Sequence, residues 1–243
     1  MINLVVKDLK KNFGGLHVLK GVSFEINGPE LIGLIGPNGA GKTTLTNVLD
    51  GAIKPNSGTV YLGGNRIDQL QPFEVARHGL GRTFQVTRSF RRMTVLENLM
   101  VPALALDQGL SRSEIDDKAM EVLEFLTVDH LRNEYAKSLS GGQQKLLELG
   151  RLLMLNPDVI ILDEPFAGVH PKLMEIIYKY IERVNNDGTA IILISHQMDS
   201  IFSLCKRLLV LNYGDLIADG TPDVVKNDPT VIEAYLGSDD EED

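Results

Sequence analysis

The chain is 243 residues long, enough for one large domain or two small ones around a sizeable buried core. Hydrophobic residues make up 43% and charged residues 23%, ordinary for a globular protein, and no apolar run approaches the roughly 20 residues that span a bilayer. The formal net charge is −9, but five acids (Asp239, Asp240, Glu241, Glu242 and Asp243) crowd the last six positions, so 238–243 is expected to be a solvated, disordered tail, and the mildly acidic body argues against nucleic acid as a partner.

From the start, no apolar segment leads to a small-residue cleavage site, so no secretory signal is expected. Residues 4–26 alternate apolar and polar around Gly14 and Gly15, which predicts antiparallel strands. Residues 31–35 are a short apolar run between Gly28 and Gly36, the pattern of a short buried strand. Past a glycine-rich turn, Leu45, Val48 and Leu49 recur at helical spacing, and Gly51 is a plausible stop. Stretches of helical period at 95–106, 113–126 and 142–155 make 86–157 read as a helical insertion. The α/β core, 1–85 and 158–243, resumes with the continuous apolar run at 159–162, expected as a central parallel strand. Leu173, Ile176, Ile177, Tyr180, Ile181 and Val184 then line one face of a helix. Another buried strand is expected at 190–194 and a hairpin over 207–220, turning at 212–215. The single cysteine, Cys205, excludes an intrachain disulfide and fits a reducing cytosol. Alternating strands and helices predict an α/β sheet with helices on its faces, in a single domain.

Three motifs carry chemistry. Gly36, Pro37, Asn38, Gly39, Ala40, Gly41, Lys42 and Thr43 fit G-x-x-x-x-G-K-[ST], with a strand before and a helix after. Glycines let successive N–H groups turn inward on phosphate oxygens, and the helix adds its positive end. Lys42 supplies a point charge to the β and γ phosphates, and the Thr43 hydroxyl can ligate Mg²⁺. The motif alone does not separate one class of nucleotide hydrolase or kinase from another. The strand at 159–162 ends in Asp163 and Glu164. One carboxylate there can hold hydrated Mg²⁺, and the next can take a proton from water. Leu139, Ser140, Gly141, Gly142 and Gln143 precede a helix; Ser140 and Gln143 form a capping-box pattern. Two glycines in a first turn are poor helix formers and make better sense if a second phosphate group approaches the backbone.

In this order, phosphate loop, LSGGQ and ILDEP, the sequence resembles the ABC (ATP-binding cassette) ATPases over essentially its whole length. The resemblance implies a P-loop ATPase core with an N-terminal antiparallel β subdomain and an inserted helical subdomain. It implies ATP and Mg²⁺, two cassettes meeting head to tail, and Ser140, Gly141, Gly142 and Gln143 acting in trans on ATP held by the partner's loop, Gly36 to Thr44. Phe13 resembles the aromatic that stacks on adenine. Gln85 resembles the glutamine near Mg²⁺ and the attacking water, which makes Thr43, Gln85 and Asp163 the metal set. Glu164 resembles the general base and His196 the histidine that senses the γ-phosphate; with Lys42 and Gln85 they complete the expected catalytic set. His170 departs from the family, where aspartate is common, and leaves open whether that loop links the two sites or simply opens the next helix before Pro171.

Within the family, residues 81–85, 90–99, 166–169 and 231–237 resemble the ATP-binding subunits of branched-chain amino acid importers. Urea or amide importers and the ATPase of lipopolysaccharide export look similar. The importer resemblance implies two membrane-spanning permease subunits, indirectly a solute-binding protein, and a peripheral place on the cytoplasmic side of the membrane. Arg82, Arg88, Arg91 and Arg92 lie near Phe84, Phe90 and Met93, and the region just after Gln85 is expected to dock a permease helix, against the plainer reading of a solvated basic face. A soluble ABC ATPase of DNA repair or translation, and a regulatory module that hydrolyses poorly, are the rival readings. The former usually carry coiled-coil insertions or two cassettes in one chain, and this sequence has neither.

Overall fold

A computed structural model describes residues 3–83, 89–106 and 109–236. In chain order the elements are β1 (Asn3–Phe13), β2 (Leu16–Asn27), β3 (Leu31–Ile35), α1 (Lys42–Leu49), β4 (Ser57–Leu62), β5 (Asn65–Arg66), α2 (Pro72–Arg77) and β6 (Leu80–Arg82). The helices α3 (Val95–Leu106), α4 (Arg112–Phe125) and α5 (Gly141–Leu155) follow. The chain then alternates through β7 (Val159–Asp163), α6 (Pro171–Asn186), β8 (Ala190–Ile194) and α7 (Met198–Leu204), and closes with β9 (Arg207–Asn212), β10 (Asp215–Gly220), α8 (Pro222–Lys226) and α9 (Pro229–Leu236).

Two sheets result. One is antiparallel, ordered β2-β1-β4-β5. The other is ordered β10-β9-β3-β8-β7-β6, parallel from β9 to β6 with β10 antiparallel at the edge. Every residue of β3 and β8 is buried, because layers cover both faces of the parallel sheet. The side-chain alternation of a strand divides these runs between two cores. Ile160, Leu162, Ile191, Leu193, Leu208 and Val210 pack with α3, α4, α5 and α6. Their neighbours Val159, Ile161, Ile192, Ile194, Leu209 and Leu211 pack with α1 and the antiparallel sheet. A strand that reads as uniformly apolar therefore serves two different layers.

The helical stretches sit where the periodicity placed them, within a residue or two. Sequence periodicity did not pick out β4, β5, α2, β6, α7, α8 or α9, each of eight residues or fewer. The parallel strands run the same way, so their C-terminal ends share one edge of the sheet. That edge carries the phosphate loop after β3, Asp163 and Glu164 at β7, and Ser195 and His196 after β8. The fold belongs to the mixed α/β class with an antiparallel N-terminal sheet and a helical insert.

Candidate functional site

The loop 36–41 joins buried β3 to α1. Its glycines at 36, 39 and 41 all have positive φ (146°, 76° and 107°), a conformation that side chains resist. A Cβ at Gly36 would overlap the Leu211 carbonyl of β9. The loop is braced from outside: Gly214 N donates to Ala40 O at 3.0 Å, and Lys20 N donates to Gly214 O at 3.0 Å. Thus the β9–β10 turn and β2 grip the same segment. Lys42 folds back across the loop, its Nζ donating to Gly36 O at 2.6 Å and Pro37 O at 2.9 Å. Burial lowers the Lys42 pKa, opposed by the carboxylates of Glu164 and Asp163. Those two acids therefore face the loop's cation. Thr43 stands exposed in the first turn of α1.

Asp163 is held from two sides. Its N–H donates to Thr83 Oγ1 at 2.9 Å, and its Oδ2 accepts from an Arg82 guanidinium nitrogen at 3.0 Å. Another Arg82 nitrogen donates to Asn47 Oδ1 and Asp50 Oδ2, both at 2.7 Å. Arg82, only 5% exposed in its side chain, ties the helix of the phosphate loop to the acid at the end of β7. The sequence set Arg82 beside exposed arginines; the structure buries its side chain in this network. Arg91 and Arg92 remain exposed. Gln85, Phe84 and Arg88 lie outside the described residues, as do 238–243.

Glu164 has φ 49°, a strained value for a non-glycine residue and one that concentrates at functional sites. Its N–H donates to Ile194 O at 2.9 Å, which sets the turn against the end of β8. Burial raises the Glu164 pKa; the nearby His196 and hydrogen bonds from His196 and Ser195 oppose this, while Asp163 adds to it. His196 Nε2 is 3.5 Å from Glu164 Oε1, within ion-pair reach but without hydrogen-bond geometry. That oxygen is buried and has no hydrogen-bond partner among the described residues. The imidazole itself is 67% exposed.

The LSGGQ segment stands at the start of α5. Ser140 is the N-cap, accepting from Gln143 N at 3.4 Å while Gln143 Oε1 accepts from Ser140 N at 2.9 Å, as the capping-box pattern predicts. A Cβ at Gly141 would meet open space, whereas one at Gly142 would overlap Leu173 in the first turn of α6. The end of α5 is therefore bare at Gly141 and packed at Gly142. His170 caps α6 through an imidazole nitrogen that accepts from Lys172 N at 3.3 Å, a capping role that aspartate also serves. Phe13 ends β1 and is half exposed. The same hairpin's β2 braces the phosphate loop.

The family model described as ABC transporter matches residues 19–167, well over half the chain. The chain belongs to the ABC transporter family. It is an ABC transporter ATPase, whose hydrolysis of ATP is coupled to transport. A second model of the cassette family, described as branched-chain amino acid ATP-binding cassette transporter, matches 216–241. The cassette is 40% identical to the high-affinity branched-chain amino acid transport ATP-binding protein LivG of Salmonella typhimurium, over 96% of this chain and 97% of that one. It is 37% identical to the lipopolysaccharide export ATP-binding protein LptB of Escherichia coli, over 98% and 99%. Among solved structures it resembles a nucleotide-free cassette of an ABC transporter, with TM-score 0.84, 37% identity and coverage of 97% and 99%. It also resembles a dimeric cassette bound to ADP and phosphate, with TM-score 0.81, 26% identity and coverage of 90% and 98%.

Sequence reasoning missed several supporting residues of this cassette. The sequence predicts the turn at 212–215 but not its hold on the phosphate loop, and it gives Thr83 no role. Tyr235, on α9, hydrogen-bonds the backbone of Gly36, and burial raises its pKa. It lies inside the C-terminal segment matched to the branched-chain model, so that segment reaches the phosphate loop. Nothing in the local sequence pairs positions 36 and 235.

Proposed function

We propose that this cassette powers the import of branched-chain amino acids, with Glu164 as the general base. The single observation that carries the transport reading is the match at 216–241. Overall identity does not separate it from lipopolysaccharide export, since the two relatives stand at 40% and 37%.

The chain's own groups support the division of labour. Inward N–H groups of 36–41 and the start of α1 bind phosphate oxygens, and Lys42 neutralises charge that builds on the transferred phosphoryl group. Phe13 stacks on the adenine. Thr43 and Asp163 offer a hydroxyl and a carboxylate, the hard oxygen donors that suit Mg²⁺; with Gln85 they would hold it. Bound there, Mg²⁺ would offset the charge of the β and γ phosphates. Glu164, with its pKa raised and one oxygen bare, is suited to take a proton from water. His196, exposed beside it, holds the γ-phosphate. Ser140, Gly141, Gly142 and Gln143 close on ATP bound to a second cassette, identical or paralogous.

Two permease subunits complete the machine, and a solute-binding protein delivers the solute to them. Their docking surface is the largely apolar cleft of about 430 Å³ between α2 and the helices α3 and α5, where Phe73, Val101, Pro102 and Leu152 lie beside the charged Glu148 and Arg151, with Arg82 at its floor. The exposed Phe90, Arg91, Arg92 and Met93 add to that surface. No described helix is long and apolar enough to cross a membrane, in keeping with a peripheral cassette that works from the cytoplasmic side.

Glu164→Gln tests the assignment. ATP binding is expected to persist while turnover falls by about 10²–10⁴-fold, the usual contribution of a general base, and ATP-bound dimers accumulate on a sizing column. Wild-type turnover in that variant would remove Glu164 from the role.

A further inference from the structure

Glu164 lies at one end of a chain of hydrogen bonds. Tyr178, on α6, donates its hydroxyl to Ser200 Oγ at 2.6 Å. Ser200 Oγ, on α7, donates to Gln197 Oε1 at 3.4 Å. The Gln197 N–H donates to Ser195 Oγ at 3.1 Å, and Ser195 Oγ donates to Glu164 Oε2 at 3.5 Å. Each serine hydroxyl accepts one bond and donates one; between them the contact passes through Gln197, whose side-chain oxygen accepts from Ser200 and whose backbone N–H donates to Ser195, so the two halves are joined by the Gln197 residue itself. Both serines are buried, 6% and 3% exposed.

The other end returns to the same loop. The ring of Tyr178 stacks on Phe166, centroids 5.1 Å apart and planes 24° from parallel. Phe166 is buried and lies two residues past Glu164. The contacts form a closed circuit: Glu164, Ser195, Gln197, Ser200, Tyr178, Phe166 and back along the chain. A strained residue such as Glu164 keeps its conformation only where its surroundings over-determine it, and the circuit grips it from the side chain and from the following backbone. It also occupies Oε2 and leaves Oε1 as the bare oxygen.

We propose that Ser195 and Tyr178 are positioning residues for Glu164: the contacts between them hold the carboxylate, through Oε2, in its orientation at the end of β7. Neither residue touches the nucleotide in this reading, which rests on Glu164 acting as the base. A small displacement of a reacting group costs rate without costing affinity.

Steady-state ATP hydrolysis by the full chain tests this. Ser195→Ala is expected to lower kcat about tenfold with the KM for ATP unchanged, and Ser195→Thr, which keeps a hydroxyl, to restore it. Tyr178→Phe keeps the stacked ring, removes the donor, and lowers kcat in the same sense. The double variant Ser195→Ala, Tyr178→Phe falls no further than Ser195→Ala, because both break one chain. The proposal is overturned if both single variants keep wild-type kcat, if the two losses multiply, or if KM and melting temperature worsen in step with kcat. Should Ser195→Ala fail to fold, Tyr178→Phe decides alone. Glu164→Gln serves as the control: loss of turnover there beside silent Ser195 and Tyr178 variants sinks only the positioning role, whereas retained turnover sinks the assignment of the base.

Discussion

Arg82 joins three groups that the sequence keeps far apart: Asn47, Asp50 and Asp163 lie 35, 32 and 81 residues away. Its guanidinium is planar and forked, so it can serve two carboxylates and an amide at once, which a lysine ammonium cannot reproduce. Removing it leaves two mostly buried carboxylates without their cation. Arg82→Ala is therefore expected to cost about 3–5 kcal/mol, the size seen when one member of a buried ion pair is lost, read as a lower urea midpoint at unchanged slope. Arg82→Lys should recover only part of that loss. At this scale legibility divides cleanly. Lys42, Asp163, Glu164 and His196 announce themselves because each sits in a short motif whose backbone placement is local. Arg82, Thr83, Ser195 and Tyr235 do not, because their roles come from partners brought in by the fold.

Among the elements, α5 shows how one helix start serves two purposes. Ser140 and Gln143 cap it in the ordinary way, which accounts for the serine and glutamine but not for the glycines between them. The surroundings of the two glycines differ. At Gly141 a methyl group would point into open space; at Gly142 it would strike Leu173 on α6. Gly141→Ala should therefore fold normally, with an unchanged or slightly higher melting temperature, since alanine is the better helix former. If α5 meets a partner's phosphate through its bare backbone, the same variant loses ATP-driven association. Gly142→Ala should instead lower stability by about 1–3 kcal/mol, the usual cost of overpacking, because Leu173 must shift. Calorimetry of both variants, beside light scattering with and without ATP, separates the two roles. The capping box was readable from the sequence; the contact with α6 was not, because Gly142 and Leu173 are brought together only by packing.

On the scale of the whole molecule, the phosphate loop and the start of α5 belong to different layers. The first lies at the C-terminal edge of the parallel sheet; the second opens a helix of the insert that packs on α3 and α4. One cassette that this chain resembles is dimeric with ADP and phosphate bound; the proposed function requires a pairing that brings one half-site to the other. Complementation tests this. Lys42→Ala and Gly141→Ala chains, each inactive alone, should regain turnover when mixed, because a mixed dimer holds one complete site. Random pairing makes about half of the dimers mixed, which predicts about a quarter of the wild-type rate per chain. No recovery, with mixed dimers demonstrated, would argue that each chain completes its own site.

The sequence by itself determined the class of chemistry, the order of the motifs and the placement of the long strands and helices. These follow from local rules: glycines where the backbone must reach φ values closed to side chains, apolar runs where a strand is covered on both faces, and capping residues where a helix begins. Tertiary structure alone decided which of those residues stand together. It turned Arg82 from an expected surface cation into a buried brace, carried Tyr235 to Gly36, and closed the circuit from Tyr178 to Glu164. The physical reason is that a hydrogen bond or a packed contact depends on distance in space, and the parallel sheet gathers the ends of strands far apart in sequence along one edge.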